Sequence, residues 1–199
     1  MAAIDRIALH DAGNIIILNG ASSSGKTSLG QALQSQLPQP HQHLQLDVFR
    51  NMEPSGYWDG WESQPPDAVA RKVAALCRAM NAALSEYSRH GQGVIFDTAL
   101  SNPDSWRYVL EDLVDLPVYL VGVTCSVEEL SRREEVRGNR EVGLAARQSE
   151  WIHLNKEYDL MVDTTASNPG HCAGEIAGWL SNNPVPHAFN TMRARLGVA

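Results

Sequence analysis

Short apolar segments alternate with longer stretches in which apolar residues recur at helical spacing. The apolar segments occupy residues 14–19, 44–47, 93–97, 118–124 and 160–163. The stretches between and after them predict helices over 28–36, 66–90, 103–113, 126–137, 144–155 and 171–180. Alternating strands and helices are typical of a doubly wound α/β fold, so we expect a five-stranded parallel sheet with helices on both faces.

The length of the chain sets the expected domain organisation. It has 199 residues, of which 43% are hydrophobic, and this suffices for one substantial core. We expect a single domain over residues 1–181. Residues 182–199 contain Pro184 and Pro186 and show weak periodicity, so we expect them to form a short C-terminal appendage.

The most specific motif is a phosphate-binding P-loop pattern that directly follows the first apolar segment. Small residues let backbone N–H groups turn towards phosphate oxygens, and the following helix adds its positive N-terminal end. Lys26 would reach the β- and γ-phosphates, and the Thr27 hydroxyl would coordinate Mg²⁺. A plain Gly/Ser turn is the alternative. The pattern predicts ATP and Mg²⁺ as cofactors, held by Gly20, Ser22, Ser23, Ser24, Gly25, Lys26, Thr27 and Ser28.

Two aspartates end predicted strands, and the carboxyl ends of parallel strands share one edge of a sheet. Transfer of a phosphoryl group to a hydroxyl needs a group that accepts the hydroxyl proton. We interpret Asp47 as this catalytic base, with a helix cap as the alternative. We interpret Asp97 as a carboxylate of the Mg²⁺ shell; it is also the second candidate for the base, and a turn residue is the alternative.

Arginines are concentrated in the segment 126–143, which we interpret as a lid over the nucleotide. Guanidinium groups suit the charge on a transferring phosphoryl group. Arg137 and Arg140 are therefore catalytic candidates, and Arg133 is a nucleotide-binding candidate. A solvated helix face with Arg–Glu pairs is the alternative. Thr164 follows the last predicted strand, and this position alone makes it a nucleotide-binding candidate.

An aromatic connection follows Asp47 and suggests where an acceptor would bind. Phe49, Met52, Trp58 and Trp61 are the substrate-binding candidates, because aromatic walls suit a planar or apolar molecule. The alternative is that these side chains only cover the edge of the core. The histidines show no partner pattern, so we interpret them as surface or packing residues.

Charge and composition exclude several classes of partner. The net charge is −7 without a basic tract, which disfavours a nucleic-acid surface and favours a small-molecule substrate. No apolar run approaches the roughly 18 residues that a membrane span needs. Three widely spaced cysteines (Cys77, Cys125 and Cys172) and an N-terminus without a signal-peptide pattern favour a reduced, cytoplasmic protein. The oligomeric state is left open.

These residues together resemble the chloramphenicol phosphotransferase family. The similarity is carried by 15–20 leading into the P-loop, by Asp47, and by the segments 121–125, 137–140, 157–159 and 162–165. The resemblance implies a three-layer P-loop kinase fold of the nucleoside-monophosphate-kinase type. It also implies an ATP-dependent enzyme that phosphorylates a primary hydroxyl of an antibiotic, with Asp47 as the base. The alternatives are a metabolic kinase of a nucleoside, sugar or shikimate-like alcohol, and a non-catalytic nucleotide-binding regulator.

Overall fold

A computed structural model describes residues 12–137 and 143–198. Its five strands form one parallel sheet in the order β2-β3-β1-β4-β5, which confirms the predicted sheet. The strands are β1 (Ile15–Asn19), β2 (His41–Gln45), β3 (Gly93–Thr98), β4 (Val118–Thr124) and β5 (Leu160–Asp163). The central strand β1 is completely buried, as expected for a strand covered on both faces.

Helices flank the sheet on both sides. They are α1 (Lys26–Gln36), α2 (Leu46–Asn51), α3 (Pro66–Arg89), α4 (Pro103–Asp112), α5 (Val127–Arg137), α6 (Leu144–Ser149), α7 (Pro169–Leu180) and α8 (Ala188–Leu196), and a 3₁₀ turn spans Trp61–Ser63. The local sequence determines where several of these helices begin. Proline occupies the first turn of α3, α4 and α7, and the side chains of Asn102 and Asn168 cap α4 and α7.

The two largest hydrophobic clusters of the described residues lie on opposite faces of the sheet, and a small third cluster includes Ala21 and Leu130. Ile15 and Ile17 of β1 face a cluster that includes buried residues of α3, α4 and α8. The alternate residues Ile16 and Leu18 face a cluster formed with α1 and α7. Because successive strand residues point to opposite faces, this one strand connects both layers.

The second strand begins three residues earlier and ends two residues earlier than predicted. The apolar segment 44–47 suggested a strand ending at Asp47, whereas β2 is His41–Gln45. The reason is that β2 is an edge strand made mostly of half-buried polar residues, so it carries little apolar signal. Asp47 therefore lies in the first turn of α2 rather than at a strand end.

The C-terminal tail differs from the expected appendage because its helix packs into the core. Ala188, Phe189 and Met192 of α8 belong to the same cluster as Ile15 and Ile17. The start of α8 is tied to the sheet by Asp159, which accepts hydrogen bonds from the backbone N–H groups of residues 187 and 188 at 2.8 and 2.9 Å. Only three residues of this nine-residue helix are buried, which is too few to produce a strong periodic pattern.

Candidate nucleotide and phosphoryl-transfer site

A pocket of about 510 Å³ opens at the carboxyl edge of the sheet. It lies where the strand order reverses, because β1 is paired with β3 on one side and with β4 on the other. Such a crevice is the usual ligand position in open α/β sheets. The P-loop forms its floor, and the ends of β2 and β3 and residues of α2, α5 and α6 form its walls.

The P-loop has the backbone shape that a phosphate cradle requires. Gly25 has φ 86° and Ser23 has φ 60°, so the chain turns through the left-handed region before α1 begins. Lys26 is buried, and its Nζ donates to the carbonyl of Ala21 at 2.7 Å. Within the described residues, the buried hydroxyls of Ser22 and Ser23 have no hydrogen-bond partner. Unsatisfied polar atoms in a loop of this shape, directly before a helix N-terminus, fit the phosphates of a nucleotide.

The other P-loop positions are arranged around this cradle. A side chain at Gly20 would place Cβ 2.4 Å from the carbonyl oxygen of Val123, so only glycine allows this approach of β1 to β4. The Ser24 hydroxyl lies 3.4 Å from Lys26 Nζ, and Ser28 lines the pocket. Every predicted P-loop residue is therefore part of, or directly supports, one concave surface.

Thr27 and Asp97 meet beside the cradle. The Thr27 hydroxyl donates to Asp97 Oδ2 at 2.5 Å, and Asp97 is buried. A hydroxyl and a carboxylate are hard oxygen donors that fit Mg²⁺, which usually takes one or two such ligands together with phosphate oxygens and water. The described residues contain no group of three or more His, Cys, Asp or Glu side chains that would hold a metal ion by themselves.

Asp47 lines the same pocket from α2, at the start of the wall formed by the end of β2 and this short helix. It is half-buried, whereas Asp97 is almost fully buried. Polar uncharged side chains of Gln45, Asn51 and Thr98 share the lining. The fold thus brings together the two carboxylates that the sequence proposed, although one comes from a helix.

Arg133 and Thr164 also meet at the P-loop. Arg133 Nη2 donates to the carbonyl of Thr164 at 2.6 Å, and the Thr164 hydroxyl donates to the carbonyl of Ser24 at 2.7 Å. Hydrogen bonds from Arg132 and then Arg133 lower the pKa of Glu129 to about 2. Arg132 is on the exposed face of α5, as its pairing with Glu129 predicts.

The remaining lid candidates are not covered by the described part of the chain. Arg140 lies outside the described residues, and so does the side chain of Arg137, whose backbone ends α5.

The four aromatic and apolar substrate candidates are not brought to the pocket. Phe49 packs against the core, and Met52 is 68% exposed. Trp58 stacks with the Arg50 guanidinium at 5.3 Å, and Trp61 lines a separate groove of about 370 Å³ between the 3₁₀ turn, α3 and α4. These four residues are not among those that line the P-loop pocket, and their contact with an acceptor stays a prediction.

Sequence reasoning missed the contacts made by α6. Gln148 lines the pocket, and its Oε1 accepts a hydrogen bond from the backbone N–H of Ser22 at 2.7 Å. The start of α6 is held by the buried carboxylate of Glu134, which accepts from the N–H groups of Gly143 and Ala145 at 2.6 and 2.9 Å. A glutamine in a short helix gives no sequence signal for this contact, because its partner is 126 residues away.

Two histidines interpreted as surface or packing residues lie close to the site. The side chain of His43 is 5% exposed, and its Nε2 lies 3.9 Å from Asp97 Oδ2. Burial lowers the pKa of His43, and the charge of Asp97 opposes this effect. His153 Nδ1 lies 2.9 Å from the Tyr158 hydroxyl, to which the Asn19 side chain donates at 2.7 Å. Burial also lowers the pKa of His153 and raises that of Tyr158 to about 12.

Comparisons with known proteins agree with this architecture. A family model described as chloramphenicol phosphotransferase-like protein matches residues 13–181. Relatives from two strains of Mycobacterium tuberculosis, each named "Putative O-phosphotransferase", are 31% identical over 203 residues, which is 92% of this chain and 89% of the relative.

Solved kinase structures share the fold at low sequence identity. The APS kinase CysC of Mycobacterium tuberculosis in complex with AMPPNP and APS has a TM-score of 0.62 at 18% identity, covering 85% of this chain and 98% of that one. Shikimate kinase from Acinetobacter baumannii in complex with shikimate has a TM-score of 0.60 at 13% identity, covering 87% and 96%. The predicted P-loop kinase fold is confirmed. In residues 12–137 and 143–198, every helix is too short or too polar to span a membrane.

Proposed function

The chain belongs to the chloramphenicol phosphotransferase-like family, and from this premise we propose that it transfers the γ-phosphate of ATP to a hydroxyl of a small molecule. The observation that carries the proposal is the single pocket in which the P-loop, the Thr27–Asp97 pair and Asp47 converge. Phosphoryl transfer depends mainly on positioning and on charge stabilisation, and these groups supply both.

The P-loop side of the pocket holds the nucleotide. Backbone amides and the unpartnered hydroxyls of Ser22 and Ser23 receive phosphate oxygens, and Lys26 neutralises their charge. Arg133 approaches the Gly25 position closely, with Nη1 3.2 Å from the point that a Cβ would occupy. This guanidinium therefore lies against the cradle and binds the nucleotide from the α5 side.

Thr27 and Asp97 hold Mg²⁺ together with the phosphates. A bound cation would supply positive charge that stabilises the phosphates during transfer. The chain's own part is to present two oxygen donors at fixed positions, and the 2.5 Å contact between them shows that they are already close together. The buried position of Asp97 keeps bulk water away from this wall.

Asp47 accepts the proton of the acceptor hydroxyl. The two carboxylates differ in burial, since Asp97 is 7% exposed, while Asp47 is half-buried on the wall formed by α2. A base must contact the entering hydroxyl, so the more accessible carboxylate suits that role and the enclosed one suits the cation.

The polar residues beside Asp47 favour a hydroxyl-bearing acceptor. Gln45, Asn51 and Thr98 offer amide and hydroxyl groups to such a molecule. Chloramphenicol is the first acceptor to test, given the family, and it implies a resistance role in the cytoplasm, where ATP is available. A sugar or shikimate-like alcohol is the second candidate, because the same polar lining suits several hydroxyl groups.

The test is to incubate the purified protein with ATP, MgCl₂ and each acceptor, and to detect the phosphorylated product by mass spectrometry. We expect one product, and we expect Lys26→Ala to abolish it. Lys72→Ala is the matched control, because this lysine contacts the Tyr57 carbonyl outside the pocket. ATP binding without transfer to any acceptor would contradict the proposal and favour a nucleotide-binding regulator.

A further inference from the structure

His43 contains a buried polar atom that the nucleotide site leaves unexplained. Its Nε2 is buried without a hydrogen-bond partner among the described residues, as are the hydroxyls of Ser22 and Ser23. The two hydroxyls face the phosphate cradle, so a ligand accounts for them. The imidazole instead lies behind the pocket wall, on the edge strand β2, and requires a different explanation.

A glycine in α1 makes room for this ring. A Cβ at Gly30 would lie 2.5 Å from His43 Nε2 and 2.7 Å from its Cε1, so any larger residue would force the imidazole to move. Glycine in the middle of a helix is unfavourable compared with alanine. The chain therefore has a weak helix former at the one position that lets the ring of His43 approach Asp97.

The arrangement of β2 and β3 directs the ring towards Asp97. Gln45 pairs with Asp97 and His43 pairs with Ile95, so His43 and Asp97 are diagonal neighbours on adjacent strands. His43 Nε2 is 3.9 Å from Asp97 Oδ2, which is an ion-pair distance but too long for a hydrogen bond. A small movement of either side chain makes that bond.

The Asp97 carboxylate can accept a second hydrogen bond. It is buried, and within the described residues the recorded hydrogen bond to its carboxylate comes from the Thr27 hydroxyl. A second donor would stabilise the carboxylate further and limit its rotation. Residues behind a metal-binding side chain commonly fix its orientation by donating a hydrogen bond.

We propose that His43 is a positioning residue for Asp97, whose carboxylate it holds by an Nε2–H hydrogen bond in the orientation that binds the Mg²⁺–nucleotide complex. The inference rests on the proposed function, since it assumes that Thr27 and Asp97 receive Mg²⁺ with the nucleotide. The ring touches neither substrate nor cation. Its effect is therefore confined to how much Mg²⁺ strengthens nucleotide binding.

The test measures the dissociation constant of ATP by calorimetry, with MgCl₂ and with EDTA, for the full chain. Mg²⁺ strengthens ATP binding by a factor that is the ratio of the two dissociation constants. In His43→Phe this factor should fall by roughly tenfold or more, while the affinity for ATP in EDTA is unchanged. His43→Gln keeps a donor and should recover part of the loss. Gly30→Ala displaces the ring without removing it, so the factor by which Mg²⁺ strengthens ATP binding should also fall in this variant.

His41→Phe is the matched control. This histidine lies two residues earlier on β2, with its ring against Gly93, and should leave the Mg²⁺ effect unchanged. Thermal unfolding in EDTA identifies any variant that does not fold. If His43→Phe does not fold, Gly30→Ala becomes the deciding variant. Undiminished strengthening by Mg²⁺ in the deciding variant would overturn the role of His43 alone. A wild-type protein whose ATP binding ignores Mg²⁺ would overturn both this role and the proposed metal site.

Discussion

Replacing Gln148 by alanine should tighten the binding of nucleotide. The Gln148 Oε1 atom accepts the Ser22 N–H at 2.7 Å, and this N–H belongs to the P-loop cradle. An amide oxygen thus occupies one of the positions that a phosphate oxygen would take. Bound phosphate must displace it, so the hydrogen bond opposes binding by the free energy that it contributes to the nucleotide-free protein.

The size of the effect follows from that single bond. A neutral hydrogen bond in a protein contributes about 0.5–1.5 kcal/mol net. Since about 1.4 kcal/mol corresponds to a factor of ten, Gln148→Ala should lower the dissociation constant of ATP roughly 2- to 12-fold. Gln148→Glu should act in the opposite direction, because a carboxylate accepts the same N–H more strongly and repels the phosphates.

Calorimetric titration of ATP and ADP into the wild type and both variants measures this directly. Gln36→Ala is the control, since Gln36 is an exposed glutamine of α1 that bonds to the carbonyl of Gly170. Weaker binding by Gln148→Ala would refute the reasoning, because it would mean that the side chain contacts the nucleotide rather than competing with it. Unchanged binding would show that the Ser22 bond contributes nothing.

Three further predictions concern catalysis, stability and pH. Asp47→Asn should lower kcat about 10²- to 10⁴-fold with ATP affinity unchanged, and retention of full transfer would exclude Asp47 as the base. Phe189→Ala should destabilise the protein by about 3–5 kcal/mol in urea unfolding, since this ring is 4% exposed, whereas Leu196→Ala in the same helix should change little because Leu196 is 43% exposed. Burial lowers the pKa of His153 in the folded protein. As the pH drops, the unfolded chain therefore binds a proton at this residue before the folded protein does. Stability should fall as the pH drops below about 6.5, the ordinary histidine pKa. His153→Gln should make that fall shallower in unfolding measured across the pH range, and an identical slope would contradict it.

The sequence predicted the parts of the fold and site that depend on local pattern. Strands β1, β3 and β4 are continuous apolar runs because both of their faces are covered, and the P-loop is a local motif whose chemistry follows from its spacing. The position of Asp97 follows from the end of β3. These features depend on residues that are close in sequence, so the sequence alone was enough to predict them.

Features that depend on tertiary contacts were missed or misplaced. The Gln148–Ser22 bond and the approach of His43 to Asp97 join residues that only the folded sheet brings together. Trp58 and Trp61 were expected in the acceptor wall because aromatic composition indicates a binding surface. Composition does not give direction, and the path of the chain after α2 turns these rings towards Arg50 and towards the groove beside α4.

Two adjacent residues of α5 connect the P-loop to both sides of the pocket. Arg133 bonds to Thr164, whose hydroxyl bonds to the Ser24 carbonyl. Glu134 bonds to the first N–H groups of α6, and α6 in turn extends Gln148 to the Ser22 N–H. Hydrogen bonds from α5 therefore reach neighbouring P-loop residues by two routes. If a phosphate displaces Gln148, one route breaks and the other stays intact, so we expect nucleotide binding to loosen α6 from the P-loop while Arg133 still holds α5 against it.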